Sequence, residues 1–63
     1  MSLYRDTIRI LKDNGCYIKK GGKGSHERWY CPNTNITVTV PGNLKSRHTA
    51  NEIFKQAGID AKI

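Results

Sequence analysis

The sequence predicts an α+β fold, a two-layer sandwich in which a three-stranded antiparallel sheet carries two helices on one face. Two stretches near the ends of the chain repeat apolar residues at helical spacing, and three stretches between them alternate apolar and polar residues as half-buried strands do. Clusters of turn-forming residues separate these stretches. The predicted order is therefore α-β-β-β-α, in a single domain over residues 1–63.

The first predicted helix covers residues 2–14, and the serine that opens it is a suitable N-cap. Tyr4, Ile8 and Leu11 recur at i, i+4 and i+7, which places them in one apolar stripe. The helix is expected to end at Gly15, because glycine readily takes the left-handed conformation that closes a helix.

The second predicted helix begins at a capping box, in which the hydroxyl of Thr49 and the carboxylate of Glu52 close the first turn reciprocally. Residues 44–48 before it are expected to form a basic connector, and Gly58 is expected to stop the helix. The apolar residues of this helix recur at i, i+3, i+4 and i+7: Ala50, Ile53, Phe54 and Ala57.

Three strands are predicted between the helices, over residues 16–20, 26–31 and 36–40. Residues 21–25 contain three glycines and are expected to form a flexible connection between the first two strands. Residues 32–35 form the turn before the third strand, which has the plainest alternation of apolar and polar residues in the chain.

A trial register follows from pairing apolar residues across the two hairpins. Ile18 opposite Trp29 puts Cys16 opposite Cys31, and the second hairpin puts Trp29 opposite Val38. The face expected to lie under the helices carries Cys16, Ile18, Trp29, Cys31, Ile36, Val38 and Val40. The opposite face, which we call the outer face, carries Tyr17, Lys19, His26, Arg28, Tyr30, Thr37 and Thr39.

The outer face is polar, basic and rich in aromatic residues, and no predicted element is left to cover it. The register places Lys19 opposite Arg28, although like charges at directly opposite positions cost stability. Such a surface is suited to bind an anion.

The overall charge indicates the same class of ligand. The chain has 11 Lys plus Arg against 5 Asp plus Glu, a formal net charge of +6 on 63 residues. A field of this sign attracts polyanions, and nucleic acid is the usual polyanion for a small basic domain. Charge alone leaves two alternatives open: a basic surface that serves only solubility, and an acidic protein partner.

The sequence contains no apolar run near the roughly 20 residues that span a bilayer, and no basic head followed by an apolar centre as in a signal peptide. A cytoplasmic location is therefore expected. Two cysteines are too few for a secreted disulfide scaffold, so Cys16 and Cys31 are expected to be free, buried thiols. A cross-strand disulfide is the less favoured alternative.

His26 is the candidate catalytic residue, because it follows the glycine-containing connection and lies near several cations. An imidazole can take the proton of a ribose 2′-hydroxyl or supply one to the leaving 5′-oxygen. Nearby cations stabilise the charge that grows on the phosphate. The 2′-hydroxyl is an internal nucleophile, so cleavage of RNA requires neither a protein nucleophile nor a metal or other cofactor. A lone surface histidine with no chemical role is the alternative.

Other chemistries find little support in the spacing of residues. The glycine run precedes a strand and lacks the spacing of a P-loop, which argues against nucleotide binding. Cys16, Cys31, His26 and His48 have none of the close spacings typical of zinc sites. The acidic residues are scattered, and most fit helix surfaces or ends, whereas a metal-dependent nuclease would need clustered carboxylates.

Several motifs also follow one another in a characteristic order: Gly15 at a helix end, Gly24-Ser25-His26, Thr39-Val40-Pro41, Thr49 with Ile53, and Lys55-Gln56-Ala57-Gly58-Ile59. With these motifs in this order and at this length, the chain resembles the HicA family of toxins from bacterial type II toxin–antitoxin systems. The resemblance covers most of the chain.

The resemblance implies an mRNA interferase with a fold like the double-stranded-RNA-binding domain, whose activity depends on the histidine of Gly-Ser-His, His26 here. It also implies a HicB-type antitoxin that binds the toxin and masks this region. Many relatives have a further histidine shortly after Val-Pro, where this chain has Gly42-Asn43. His48 lies further along the chain, so the presence of a second imidazole stays open.

The leading hypothesis is a metal-independent endoribonuclease in which His26 acts as general acid or base. Its RNA contacts are expected from four cations, one hydroxyl and two aromatic rings that stack on unpaired bases: Lys19, Lys20, Lys23, Arg28, Ser25, Tyr17 and Tyr30. The second hypothesis is a small RNA-binding domain without catalysis that uses the same basic face. The third is an interaction protein whose charge serves only an acidic partner.

Overall fold

The structure, a computed structural model, describes residues 2–19 and 26–63. Within these ranges the elements are α1 (Leu3–Asp13), β1 (Tyr17–Ile18), β2 (His26–Cys31), β3 (Ile36–Pro41) and α2 (Arg47–Ala57). The strands form one antiparallel sheet in the order β1-β2-β3. The predicted α+β class and the α-β-β-β-α order are confirmed. The connection predicted at residues 21–25 and Lys20, the last residue of the first predicted strand, lie outside the described residues.

Helix α1 has the predicted ends. The hydroxyl oxygen of Ser2 accepts a hydrogen bond from the backbone N–H of Arg5 at 3.0 Å, which makes Ser2 the N-cap. Beyond the last helical residue, Gly15 has a φ of +81°, and the N–H of Cys16 donates to the carbonyl oxygen of Leu11 at 2.9 Å. The left-handed glycine thus turns the chain from α1 directly into β1.

The buried face of α1 differs in part from the predicted stripe. Leu11 is fully buried, whereas Tyr4 and Ile8 are partly buried and pack against the core. Thr7 is fully buried and was absent from the predicted stripe. Its hydroxyl donates to the carbonyl oxygen of Leu3 at 2.8 Å, so the polar group is satisfied inside the helix and can be buried at little cost.

The predicted start of the second helix is wrong. Helix α2 begins at Arg47, and its N-cap is Ser46, whose hydroxyl oxygen accepts from the N–H of Thr49 at 3.4 Å. Ser46 caps as well as threonine does, and beginning there gains a further helical hydrogen bond, from the N–H of Ala50 to the carbonyl oxygen of Ser46 at 3.1 Å. The predicted connector, residues 44–48, is therefore too long by two residues, because Arg47 and His48 belong to the helix. The four predicted apolar residues of α2 are all buried, and Gly58 closes the helix with a φ of +77°.

The predicted strand register is confirmed. Ile18 pairs with Trp29, and Trp29 pairs with Val38. The backbone N–H of Lys19 donates to the carbonyl oxygen of Arg28 at 2.7 Å, which extends the pairing by one position. Five of the predicted core residues of the sheet are buried: Cys16, Trp29, Cys31, Val38 and Val40.

The predicted burial of two residues, Ile18 and Ile36, is wrong. They are 47% and 36% exposed. Both belong to edge strands, Ile18 at the last residue of β1 and Ile36 at the first residue of β3. Period-two alternation assigns them to the helix side of the sheet, but their edge positions leave them incompletely covered.

The expectation of free thiols is also wrong, because a disulfide joins Cys16 and Cys31. The register that pairs Ile18 with Trp29 brings the Cα atoms of the two cysteines to 4.2 Å, the short separation of a non-hydrogen-bonded antiparallel pair. Both cysteines are buried. The disulfide therefore ties the residue just before β1 to the last residue of β2 inside the core.

Candidate nucleic-acid interface

His26 is the first residue of β2, and it lies opposite Pro41 at the end of β3. Its side chain is exposed. Successive residues of a strand point to opposite faces, so His26 shares the outer face with Arg28 and Tyr30, while Trp29 and Cys31 are buried under the helices. The strand thus presents an imidazole and a guanidinium on the same side, two residues apart.

Two tyrosines form an aromatic pair on the outer face. Tyr17 and Tyr30 are partners in the β1–β2 ladder, and their ring centroids are 5.6 Å apart with the planes at 68°. This edge-to-face arrangement is a favourable one for aromatic rings. The hydroxyl of Tyr30 donates to Oδ1 of Asn35 at 2.7 Å, which holds the ring in place from the β2–β3 turn. Tyr17 is 52% exposed, so one ring of the pair is open to a ligand.

Two cations lie beside the tyrosines. The ammonium nitrogen of Lys19 is 5.2 Å from the centroid of the Tyr30 ring, within the range of a cation–π contact. Arg28 is the cross-strand neighbour of Lys19, and both side chains are exposed. The structure therefore brings together five of the predicted site residues on one face: Tyr17, Lys19, His26, Arg28 and Tyr30.

The other three predicted site residues, Lys20, Lys23 and Ser25, lie outside the described residues. They belong to the segment that joins Lys19 to His26, two residues that both lie on the outer face. Among the described residues no group of three or more His, Cys, Asp or Glu side chains is arranged to hold a metal ion.

Sequence reasoning missed Glu27, which lies next to His26 but on the helix side of the sheet. The hydroxyl of Tyr4 in α1 donates to both carboxylate oxygens, at 2.7 Å and 2.8 Å. The indole N–H of Trp29 donates to Oε1 at 3.1 Å. Glu27 therefore links the first turn of α1 to the start of β2, directly behind the candidate catalytic residue. Its even spacing from Trp29 places it on the helix side, and this was the signal in the sequence.

The same contacts perturb the tyrosine. The hydrogen bond to Glu27, partial burial and the negative charge of the carboxylate, in that order, raise the pKa of Tyr4 above its ordinary value of 10.0. The phenol is thereby kept in its protonated, donating form.

Together, fold and site define a small α+β domain with two helices on one side of its sheet and a basic, aromatic surface on the other. The chain matches the family model described as the HicA toxin of bacterial toxin-antitoxin over residues 4–59 of 63. The match spans nearly the whole chain, and the chain belongs to this toxin family, which implies an antitoxin partner. No curated protein and no solved structure gives a match. Within the described residues, no helix is long and apolar enough to cross a membrane.

Proposed function

We propose that this toxin is a metal-independent endoribonuclease, an mRNA interferase that cleaves mRNA in the cytoplasm and inhibits translation, and that a HicB-type antitoxin neutralises it. The single observation that carries the proposal is the shared position of His26, Arg28, Lys19 and the tyrosine pair on the outer face. Membership of the toxin family supports it, since a toxin needs a cellular target and this surface is suited to a polyanion.

The proposed reaction is a transesterification within the RNA. The 2′-oxygen attacks the adjacent phosphorus, the bond from phosphorus to the 5′-oxygen breaks, and the products are a 2′,3′-cyclic phosphate and a 5′-hydroxyl end. His26 either accepts the proton of the 2′-hydroxyl, with water protonating the departing 5′-oxygen, or donates a proton to that oxygen, with water accepting the proton of the 2′-hydroxyl. The exposed position of its imidazole at the start of β2 is suited to either role, because a phosphodiester strand can approach it from solvent.

Arg28 lies two residues further along the same strand face and is positioned to stabilise the charge that grows on the phosphate. Lys19 is proposed to hold a neighbouring phosphate, together with the cations and the hydroxyl of the connecting segment, Lys20, Lys23 and Ser25. Tyr17, the more exposed tyrosine, offers its ring to an unpaired base, and Tyr30 supports it from the next strand. An RNA strand that binds here would therefore be single-stranded over at least one nucleotide.

The test compares His26→Ala with a matched control, His48→Ala, which removes an exposed imidazole from the first turn of α2. We expect His26→Ala to lower the rate of RNA cleavage by a factor of at least about 100 and to abolish growth arrest. His48→Ala should retain both. Circular dichroism and thermal unfolding verify that each variant is folded. RNA cleavage by folded His26→Ala at the wild-type rate would refute the assignment.

A non-catalytic RNA-binding domain is the second candidate, and the tyrosine pair with Lys19 above one ring favours it, because stacking and charge alone bind single strands. In that case purified wild-type toxin would bind RNA with a steep dependence on salt but would leave it intact. His26→Ala would then weaken binding only slightly. If purified RNA neither binds nor is cut, both candidates fail.

A further inference from the structure

The outer edge of β3 has backbone groups that no described residue pairs with. The bond from the N–H of Lys19 to the carbonyl oxygen of Arg28 shows that the backbone groups of Arg28 point toward β1. Backbone groups alternate in direction along a strand, so those of Trp29 point toward β3 and bond with its partner Val38. On β3 the groups of Thr37 and Thr39 must therefore point away from the sheet.

Unlike most edge strands, β3 has little protection against pairing with another chain. Natural edges are commonly blunted by charged side chains, bulges or short length. β3 has six residues, and the chain contains no charged residue between Cys31 and Leu44. The only protective feature is Pro41, which lacks an N–H at the end of the strand. Ile36 is 36% exposed at the beginning of the same edge, so apolar surface lies beside the free backbone groups.

The opposite edge of the sheet is different. β1 has two residues, and Lys19 follows it with an exposed charged side chain. The backbone N–H of Cys16, just before β1, is already bonded to the carbonyl oxygen of Leu11 in α1. Of the two edges, β3 is the one built to accept another strand.

We propose that the antitoxin neutralises this toxin by adding a β-strand to the free edge of β3, with acidic side chains on the outer face of the added strand. This docking proposal takes its partner, the antitoxin, from the proposed function. It adds to that function the edge at which the antitoxin docks and the chemistry of the antitoxin segment. Backbone groups of Thr37 and Thr39 pair with the added strand, and an apolar residue of that strand covers Ile36.

Charge complementarity selects an acidic antitoxin strand as the occupant. Strands in a sheet are about 4.8 Å apart, so the added strand lies about 10 Å from β2. A glutamate on the outer face of that strand and the side chain of Arg28 on β2 can meet across Thr39. Because His26 lies opposite Pro41, only a long side chain near the end of the added strand can reach toward the candidate catalytic residue, across that proline. One strand thus pairs with the edge of β3 and directs its acidic side chains toward the basic residues of β2.

The experiment uses this toxin and its cognate antitoxin, with the complex purified by co-expression. Amide hydrogen exchange of the wild-type toxin is measured by NMR, alone and in the complex. We expect the amides of Thr37 and Thr39 to exchange rapidly in the free toxin and to be protected at least tenfold in the complex. Exchange at these two amides that is unchanged by the antitoxin would overturn the proposal.

The matched variants are Thr39→Pro, which removes the outward-pointing N–H, and Thr39→Val, which keeps it and removes the hydroxyl. Proline is tolerated at an edge-strand position whose N–H faces solvent, so folding is expected to persist. We expect Thr39→Pro to weaken antitoxin binding about tenfold, as loss of one hydrogen bond with an unpaired partner predicts, and Thr39→Val to stay within about twofold of wild type. If Thr39→Pro fails to fold, the exchange measurement on the wild type decides.

Two further outcomes separate this proposal from its rivals. Protection of both amides in the isolated toxin, rising with protein concentration as a dimer forms, would mean that a second copy covers the edge and would overturn the proposal. If the wild type fails to cleave RNA while the antitoxin still protects both amides, the ribonuclease proposal falls and the docking proposal stands.

Discussion

Glu27 provides a sharp test of how the fold supports the site, because one carboxylate joins two elements directly behind His26. Glu27→Ala removes the acceptor of the Tyr4 hydroxyl and of the Trp29 indole N–H. Trp29 is 3% exposed, so its N–H would be left without water or another described acceptor. The substitution therefore exposes the cost of an unpaired buried donor, in addition to the loss of the contact between α1 and β2.

The expected magnitude follows from the two donors. A hydrogen bond to a charged group contributes about 1.5–3 kcal/mol, and the partly exposed Tyr4 can recover some of this from water. We therefore expect Glu27→Ala to lower the free energy of unfolding by about 2–4 kcal/mol. Glu27→Gln keeps an oxygen acceptor at the same place and should lose only about 1 kcal/mol. A single core of this size supplies about 3–5 kcal/mol in total, so Glu27→Ala is expected to be largely unfolded near 37 °C.

Urea unfolding, followed by the fluorescence of Trp29, measures these differences. The control is Glu52→Ala, which removes an exposed carboxylate from α2 and should remain within about 0.5 kcal/mol of wild type. A Glu27→Ala variant that also stays within about 0.5 kcal/mol of wild type would refute this account of the Tyr4–Glu27–Trp29 contacts.

Three other predictions concern stability. The pKa of Tyr4 is raised above 10.0 in the native state, so the stability that its proton provides is complete below pH 10 and is lost as the pH rises through the native pKa. Unfolding measured from pH 9 to 11 should therefore show the free energy of unfolding falling more steeply with pH for wild type than for Tyr4→Phe. Gly58→Ala would place its Cβ 2.6 Å from Cγ2 of Thr34 and would also strain a backbone with positive φ, so it should lower the free energy of unfolding by about 2–4 kcal/mol. The control is Gly15→Ala, which has a similar φ but nothing within 4 Å of its Cβ and should lower that free energy by about 1 kcal/mol. Equal losses for the two variants in urea unfolding would contradict the role of the Thr34 contact. Reduction of the disulfide, which closes a loop of 15 residues, should lower the free energy of unfolding by about 3 kcal/mol, measured with and without a thiol reductant; an unchanged midpoint would contradict the constraint.

Sequence patterns predicted which residues lie on the outer face, because successive side chains of a strand point to opposite faces of the sheet. Once Ile18 is placed opposite Trp29, Tyr17 and Tyr30 must share the outer face with His26. The pattern does not specify how long side chains arrange themselves on that face. The position of the Lys19 ammonium over one ring depends on rotamers that only the folded structure determines.

Two errors in the predicted helices have different causes. Thr49 and Ser46 are both good N-caps, and local propensity does not distinguish them. Leu44 is buried, so the connector is held against the core and the chain enters the helix earlier than the predicted capping box. The second error concerns Thr7, a polar residue that interrupts the apolar pattern of α1. It is fully buried because its hydroxyl donates a hydrogen bond to the carbonyl oxygen of Leu3 in the same helix.

The outer face that carries His26 was determined by the sequence itself, through the alternation of β2 and β3 and the pairing of apolar residues across the hairpins. Only the tertiary structure decided what lies behind and beside that face. Glu27 acquires its role because α1 brings Tyr4 to it from 23 positions away along the chain, and the free edge of β3 exists because no described element packs beside that strand. Local periodicity specifies which way a residue points, whereas its partners depend on how distant elements pack together.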